Sequence, residues 1–109
     1  MAGSDDNLRV RIRPHVSHPT LVLGGEVDAE SGAKLRTAID RAMADRATSL
    51  DFDFSNVSFM DSTGLRALAY ANERTAEAGG SVRVLGASPT VVRLLSVTGL
   101  DAVIEVVAP

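Results

Sequence analysis

Apolar and polar residues alternate strictly over LRVRIR, with Leu8, Val10 and Ile12 set against Arg9, Arg11 and Arg13. That period of two predicts a strand with one wet face. Pro14 cannot donate to a ladder, so it puts this strand at an edge or ends it early. After a short connection, TLVLGGEV is a continuous apolar run suited to a buried strand, and the two segments form an opening hairpin. The period then changes. AESGAKLRTAIDRAMADR carries Leu35, Ile39, Ala42 and Met43 at helical spacing, with Lys34, Arg36, Asp40 and Arg41 between them, and Asp28 is positioned to cap this amphipathic helix. SLDFDFSNV returns to alternation, Leu50, Phe52 and Phe54 against Asp51, Asp53 and Ser55. TGLRALAYANERTAEAGG puts Leu65, Leu68, Ala69 and Ala76 on one helical stripe and stops at Gly79-Gly80. SVRVLG reads as a short strand. SPTVVRLLSVTGL opens with Ser88 as a cap and Pro89 at the first helical position, then closes at Gly99 as a helix of about three turns. DAVIEVV is a last strand.

Strands separated by helices favour parallel crossovers, and the opening hairpin adds an antiparallel pair. The expected fold is a single small α/β domain over residues 8–109 with a mixed, mainly parallel sheet, preceded by a loose polar end over residues 1–7. Phe52 and Phe54 face one way and the carboxylates of Asp51 and Asp53 the other, which points to helices packed mainly on one side.

Composition narrows the function classes. At 109 residues, 45% hydrophobic and 23% charged, the chain has the balance of one globular domain. A net charge of -3 offers no basic stripe for phosphates or for an anionic membrane, so neither direct nucleic-acid binding nor membrane association is expected. The chain has no cysteine, which removes thiolate nucleophiles and sulfur metal sites. The start MAGSDDNLRV shows neither a basic n-region nor an apolar h-region, and no apolar run approaches the roughly 20 residues of a membrane span. A cytoplasmic location is expected.

The chemistry concentrates in FMDSTGLRAL, residues 59–68. A serine between a strand and a helix is where a hydrolase would hold its nucleophile, but the elbow pattern needs glycine where Met60 stands. The histidines available as a base, His15 and His18, belong to the first hairpin, where they read as solvated turn residues. No phosphate-binding glycine loop is present, since Gly24-Gly25 precedes the anion-repelling Glu26. Asp28, Asp51, Asp53 and Asp61 lie on different elements without calcium-loop spacing, and read as solvated surface charge rather than a metal site. An enzyme is therefore not expected, and no cofactor is implied. With a helix starting near Thr63, either Asp61 or Ser62 caps it. A phosphate on Ser62 would meet the positive end of the helix dipole and leave the fold intact, while adding a charge of about -1.5 to -2 beside Asp61. Phosphorylation here is a binding switch in principle.

Three segments, GEVDAES (25–31), FSNVSFMDSTGL (54–65) and SPTVVRLLSVTGL (88–100), resemble the characteristic segments of STAS domains, in particular the standalone anti-sigma factor antagonists. The similarity runs from Leu8 to Val107. It implies a small mixed sheet with helices mainly to one side. It also implies that Ser62, the serine after the aspartate of the D-S-[ST]-G turn, is phosphorylated by a partner that is both a serine kinase and an anti-sigma factor. Unphosphorylated protein would bind that partner and free a sigma factor; a metal-dependent serine phosphatase would reset the phosphorylated form. ATP and magnesium would belong to the kinase. Asp28, Asp61, Ser62 and Thr63 are the expected partner contacts, with Asp28 alternatively a plain cap. Ser88 is a weaker candidate contact, and Met60 is either an exposed apolar contact or part of the core. The same resemblance also covers regulatory or scaffold subunits of lipid-transporting ABC complexes and stress-signalling assemblies, the alternative reading.

Overall fold

The computed structural model describes residues 7–107. Strands β1 (Leu8–Arg13) and β2 (Thr20–Val27) form the antiparallel hairpin, and β3 (Leu50–Met60), β4 (Val82–Leu85) and β5 (Glu105–Val106) follow in chain order, each parallel to the strand before it. Parallel neighbours need long crossovers. These are supplied by α1 (Gly32–Ala42), α2 (Ser62–Glu77) and α3 (Pro89–Val97). The mixed, mainly parallel sheet expected from the period changes is therefore present. Of the expected loose end, residues 1–6 lie outside the described residues, whereas Asn7 is tied to the sheet: its carbonyl accepts from the Glu26 amide at 3.1 Å.

One sheet face is buried. Leu21, Leu23, Leu50, Phe52, Phe54, Val82 and Val84 meet Leu35 and Ile39 of α1, Leu68 and Ala71 of α2, and Val91 and Leu95 of α3 in a single cluster. Each such large side chain contributes about 1.5–3 kcal/mol on burial. The other face stays open and carries Arg9, Arg11 and Arg13, with Asp53 and Arg83 half-buried. Asp51, expected to be solvated, is instead buried. Arg83 on β4 sits directly across from it and closes a two-point ion pair, Nε to Oδ1 at 3.0 Å and Nη2 to Oδ2 at 2.6 Å. That hydrogen-bonded carboxylate holds the Arg83 guanidinium above its ordinary pKa.

Three boundaries and one buried helix face differ from the sequence expectation. The first helix starts at Gly32, not next to Asp28, and its N-cap position is Ser31. β3 runs three residues past Val57. α2 buries Gly64, Ala67, Leu68, Ala71 and Thr75, while Ala76 is exposed and Leu65 and Ala69 are only half-buried. The face chosen is the one of small residues, which lets the helix lie close to the sheet; Thr75 is tolerated there because its hydroxyl donates to the Ala71 carbonyl at 2.9 Å. At the C-terminal end, a 3-10 turn over Leu100–Ala102 uses residues expected in the last strand, and Ile104 turns into the core, which leaves two residues in β5.

The closest approach in this layer fixes the start of α2. A Cβ added to Gly64 would lie 2.3 Å from Met60 Cγ and 3.0 Å from Val27 Cγ1. Gly64→Ala is therefore expected to lower the unfolding free energy by about 1–3 kcal/mol, read from the urea midpoint; an unchanged midpoint would mean that α2 does not sit this close to the strand ends.

Candidate functional site

In parallel α/β sheets, sites form beyond the carboxyl ends of the strands. Asp28 follows the end of β2 and Asp61 the end of β3, and Val27 and Met60 are paired in register just before them. A hydrogen bond from the Asp61 amide to the Val27 carbonyl, 3.1 Å, joins the two turns. The side chains then divide the work. Asp61 is the N-cap of α2: its Oδ1 accepts from the Thr63 amide at 2.8 Å. Of the two possible caps, Asp61 holds the position, and Ser62 becomes the first helical residue. Ser62 is exposed, and its hydroxyl makes no hydrogen bond to any described residue. Thr63 is half-buried, with its methyl group against α1: a Cβ on Gly32 would come within 2.8 Å of Thr63 Cγ2.

Asp28 is half-buried and does not cap α1. Its Oδ1 accepts from the Glu30 amide at 3.1 Å and from the Ser31 hydroxyl at 3.4 Å. Ser31 is fully buried; its hydroxyl donates to the Asp28 carbonyl at 3.0 Å and accepts from the Asp28 amide at 3.0 Å. Asp28 thus belongs to a tight turn laced by Ser31. The buried Ser31 was not expected from the sequence, where it reads as one more small polar residue in a loop.

Met60 and Phe59 carry the largest surprise. Met60 is 5% exposed and packs toward Gly64, whereas Phe59, on the same strand end, is 51% exposed. The cause is in the ladder. Between the pairs Val22–Asp53 and Gly24–Asn56, and again between Gly25–Val57 and Glu26–Phe59, β3 has one more residue than β2. The first extra residue reverses the facing of those beyond it and the second restores it, so Val57 enters the core between Phe54 and Met60, Asn56 and Ser58 stay outside, and Phe59 faces out as alternation from Phe54 would have it. Met60 therefore belongs to the core, and the apolar side chain shown to solvent, three residues before Ser62, is Phe59.

Ser88 lies elsewhere. It caps α3, its hydroxyl accepting from the Val91 amide at 3.2 Å. It follows β4, whose pairing with β3 ends at Leu85–Asp53. That strand end is eight residues back along β3 from Asp61, a span of at most about 26 Å at about 3.3 Å per residue. His15 and His18 occupy the hairpin turn at the opposite end of β2, and their Nδ1 atoms are engaged with Ser17. Among the described residues there is no group of three or more metal-ligating side chains, and no helix is long and apolar enough to cross a membrane. The flank of the Ser62 turn is cationic: Arg36 and Arg66 line a small hollow between α1 and α2 with Gly32 and Thr63.

The STAS domain family model matches residues 7–108. The chain belongs to the STAS domain family. Among its relatives, the anti-sigma-F factor antagonist RsfB of Mycobacterium tuberculosis is 35% identical over 101 residues, covering 91% of this chain and 80% of RsfB. A solved anti-sigma factor antagonist from Mycobacterium paratuberculosis superposes with a TM-score of 0.84 at 27% identity, over 99% of this chain and 92% of that one. The fold is also that of SpoIIAA, solved unphosphorylated (TM-score 0.80, 22% identity, 92% of this chain and 89% of that one) and, from Bacillus, phosphorylated (0.73, 22%, 92% of each).

Asp61→Ala should cost about 1 kcal/mol of stability through the lost cap, with Asp61→Asn costing a few tenths, because Asn is an equally good cap. Thermal unfolding checks this. Equal losses for the two would show that the charge, not the cap bond, stabilises the helix start.

Proposed function

We propose that this STAS protein is an anti-sigma factor antagonist whose partner docks on the Ser62 turn and is released when Ser62 is phosphorylated. The observation that carries the reading is the contrast among the hydroxyls. Ser31, Ser58 and Ser88 spend theirs on the fold, Thr63 packs its side chain against α1, and Ser62 alone of these is both exposed and unbonded. The relative RsfB, an anti-sigma-F factor antagonist, supports the class of partner.

The surface has the parts such an interface needs. Phe59 is an exposed aromatic side chain at the end of β3, suited to an anchor, and Asp28 and Asp61 place carboxylates in the two joined turns. Phosphorylation moves the γ-phosphoryl group of ATP to Ser62 Oγ, which loses its proton; ATP and its magnesium are bound by the kinase, the anti-sigma factor itself. The new dianion sits at the amino end of α2, where the helix dipole stabilises it, so the fold persists. Against the partner it works the other way. A surface that accepted a neutral hydroxyl between two carboxylates now meets close to four negative charges, and like-charge contact costs several kcal/mol. Hydrolysis by a metal-dependent serine phosphatase restores the hydroxyl. In this scheme the chain is substrate and ligand rather than catalyst.

With the anti-sigma kinase as ligand in titration calorimetry, Ser62→Ala is expected to bind within a few-fold of the unphosphorylated protein. Ser62→Asp should bind at least about tenfold more weakly, about 1.4 kcal/mol. Phe59→Ala should lose more than about tenfold without a change in fold. Tight binding by Ser62→Asp at low salt, or an unaffected Phe59→Ala, would contradict the docking surface as described.

A further inference from the structure

β1 is an edge strand, paired on one side only. Its register shows which backbone groups face outward. The Glu26 amide donates to the Asn7 carbonyl, so the pair 7–26 is a hydrogen-bonded one, and in an antiparallel ladder every second pair is of that kind. Arg9, Arg11 and Arg13 therefore turn their backbone groups toward β2, and Leu8, Val10 and Ile12 turn theirs away. Lys34 agrees with this, because its ammonium reaches in from α1 to take the outward carbonyl of Leu8. Next along the edge, the N–H and C=O groups of Val10 and Ile12 have no partner among the described residues. An unpaired row of this kind is a template for another strand.

The two flanks of that row differ in chemistry. On the open face stand the side chains of Arg9, Arg11 and Arg13, all exposed, and none forms an ion pair with a described carboxylate; Asp53 on β3 acts electrostatically on Arg13, and Glu26, bonded to the Asn7 side-chain amide, lines a hollow with Arg9. On the helix side lies a groove of about 260 Å³, floored by Val10, Ile12 and Ala38 and rimmed by Lys34 and Arg41. A strand laid along β1 would send alternate side chains to these two sides. A second copy of β1 is a poor occupant, because it would set arginine beside arginine on the open face, and like charges on neighbouring strands repel.

We propose that the free edge of β1 takes up an extended segment of a partner protein in which acidic residues alternate with aliphatic ones. The acidic side chains lie against Arg9, Arg11 and Arg13, the aliphatic ones enter the groove beside α1, and Val10 and Ile12 supply the backbone hydrogen bonds. This surface is separate from the Ser62 turn and does not depend on any reading of it. The arginines thus deter self-pairing and select an acidic partner at the same edge.

The test uses the whole chain, labelled with nitrogen-15, and a synthetic nine-residue peptide of alternating glutamate and isoleucine, with a lysine-for-glutamate peptide as control. The acidic peptide should perturb β1 and the facing side of α1, and slow amide exchange at Val10 and Ile12 by about tenfold or more at saturation. Arg11→Glu should weaken binding roughly tenfold, and Arg11→Ala by less, since alanine only removes the cross-strand attraction whereas glutamate reverses it. Both variants are surface changes whose fold is checked by circular dichroism. Unchanged exchange at Val10 and Ile12, equal binding of the lysine peptide, or self-association of the free protein through β1 would each overturn the proposal.

Discussion

Two residues of β3 have no counterpart on β2, and the geometry of the Ser62 turn follows from them. Without the extra residues, strict alternation from Phe54 would turn Asn56 and Ser58 into the core. With them, Val57 joins Phe54 and Met60 in the interior while Asn56 and Ser58 stay outside, and Phe59 faces water. Val27 and Met60 then come into register, and the amide of Asp61 reaches the carbonyl of Val27. One short hydrogen bond therefore couples the turn after β2 to the turn after β3. The turn that holds Asp28 and the turn that holds Asp61 and Ser62 are neighbours because of it.

Charge around that surface is mixed, which refines how a phosphate would act. Asp28 and Asp61 already spend carboxylate oxygens on backbone amides within their own turns, and so are held in place rather than free to swing aside. Arg36 and Arg66 stand on the α1 side of the same turn. Residue 66 is one helical turn beyond residue 62, within reach of a neighbour on the helix surface. A phosphate is thus stabilised locally by the helix end and a nearby guanidinium while remaining repulsive toward any partner that brings carboxylates of its own. Local tolerance and long-range exclusion arise from the same charge.

Much of the fold was legible because the period changes coincide with chemical punctuation. Ser88-Pro89 and Gly99 bracket α3 as read, with Gly99 in the left-handed conformation at φ 81°. TLVLGGEV is β2 to the residue. What could not be read was decided by contacts that no period reveals, some within a turn and some between distant segments. Asp28 looks like a cap because Asp commonly is one, yet the buried Ser31 hydroxyl closes the turn first and delays the helix to Gly32. DAVIEVV looks like a strand, but the turn after Gly99 and the burial of Ile104 leave only two residues to pair with β4. Asp51 looks like surface charge until β4 brings Arg83 across from it. At the site, the D-S-T-G turn was visible as a unit; its apolar neighbour was not, because FSNVSFM has no single period and only the register with β2 shows which residues face out.

The central claim is that Ser62 Oγ is the atom this surface offers for modification. The most direct measurement is to incubate the protein with the anti-sigma kinase and ATP, then locate any added phosphate by mass spectrometry while following the amide spectrum. A single phosphate on Ser62, with shifts confined to the start of α2 and the turn after β2, is the expected result. A phosphate on Thr63, or none on either while the protein remains folded and the kinase bound, would contradict it.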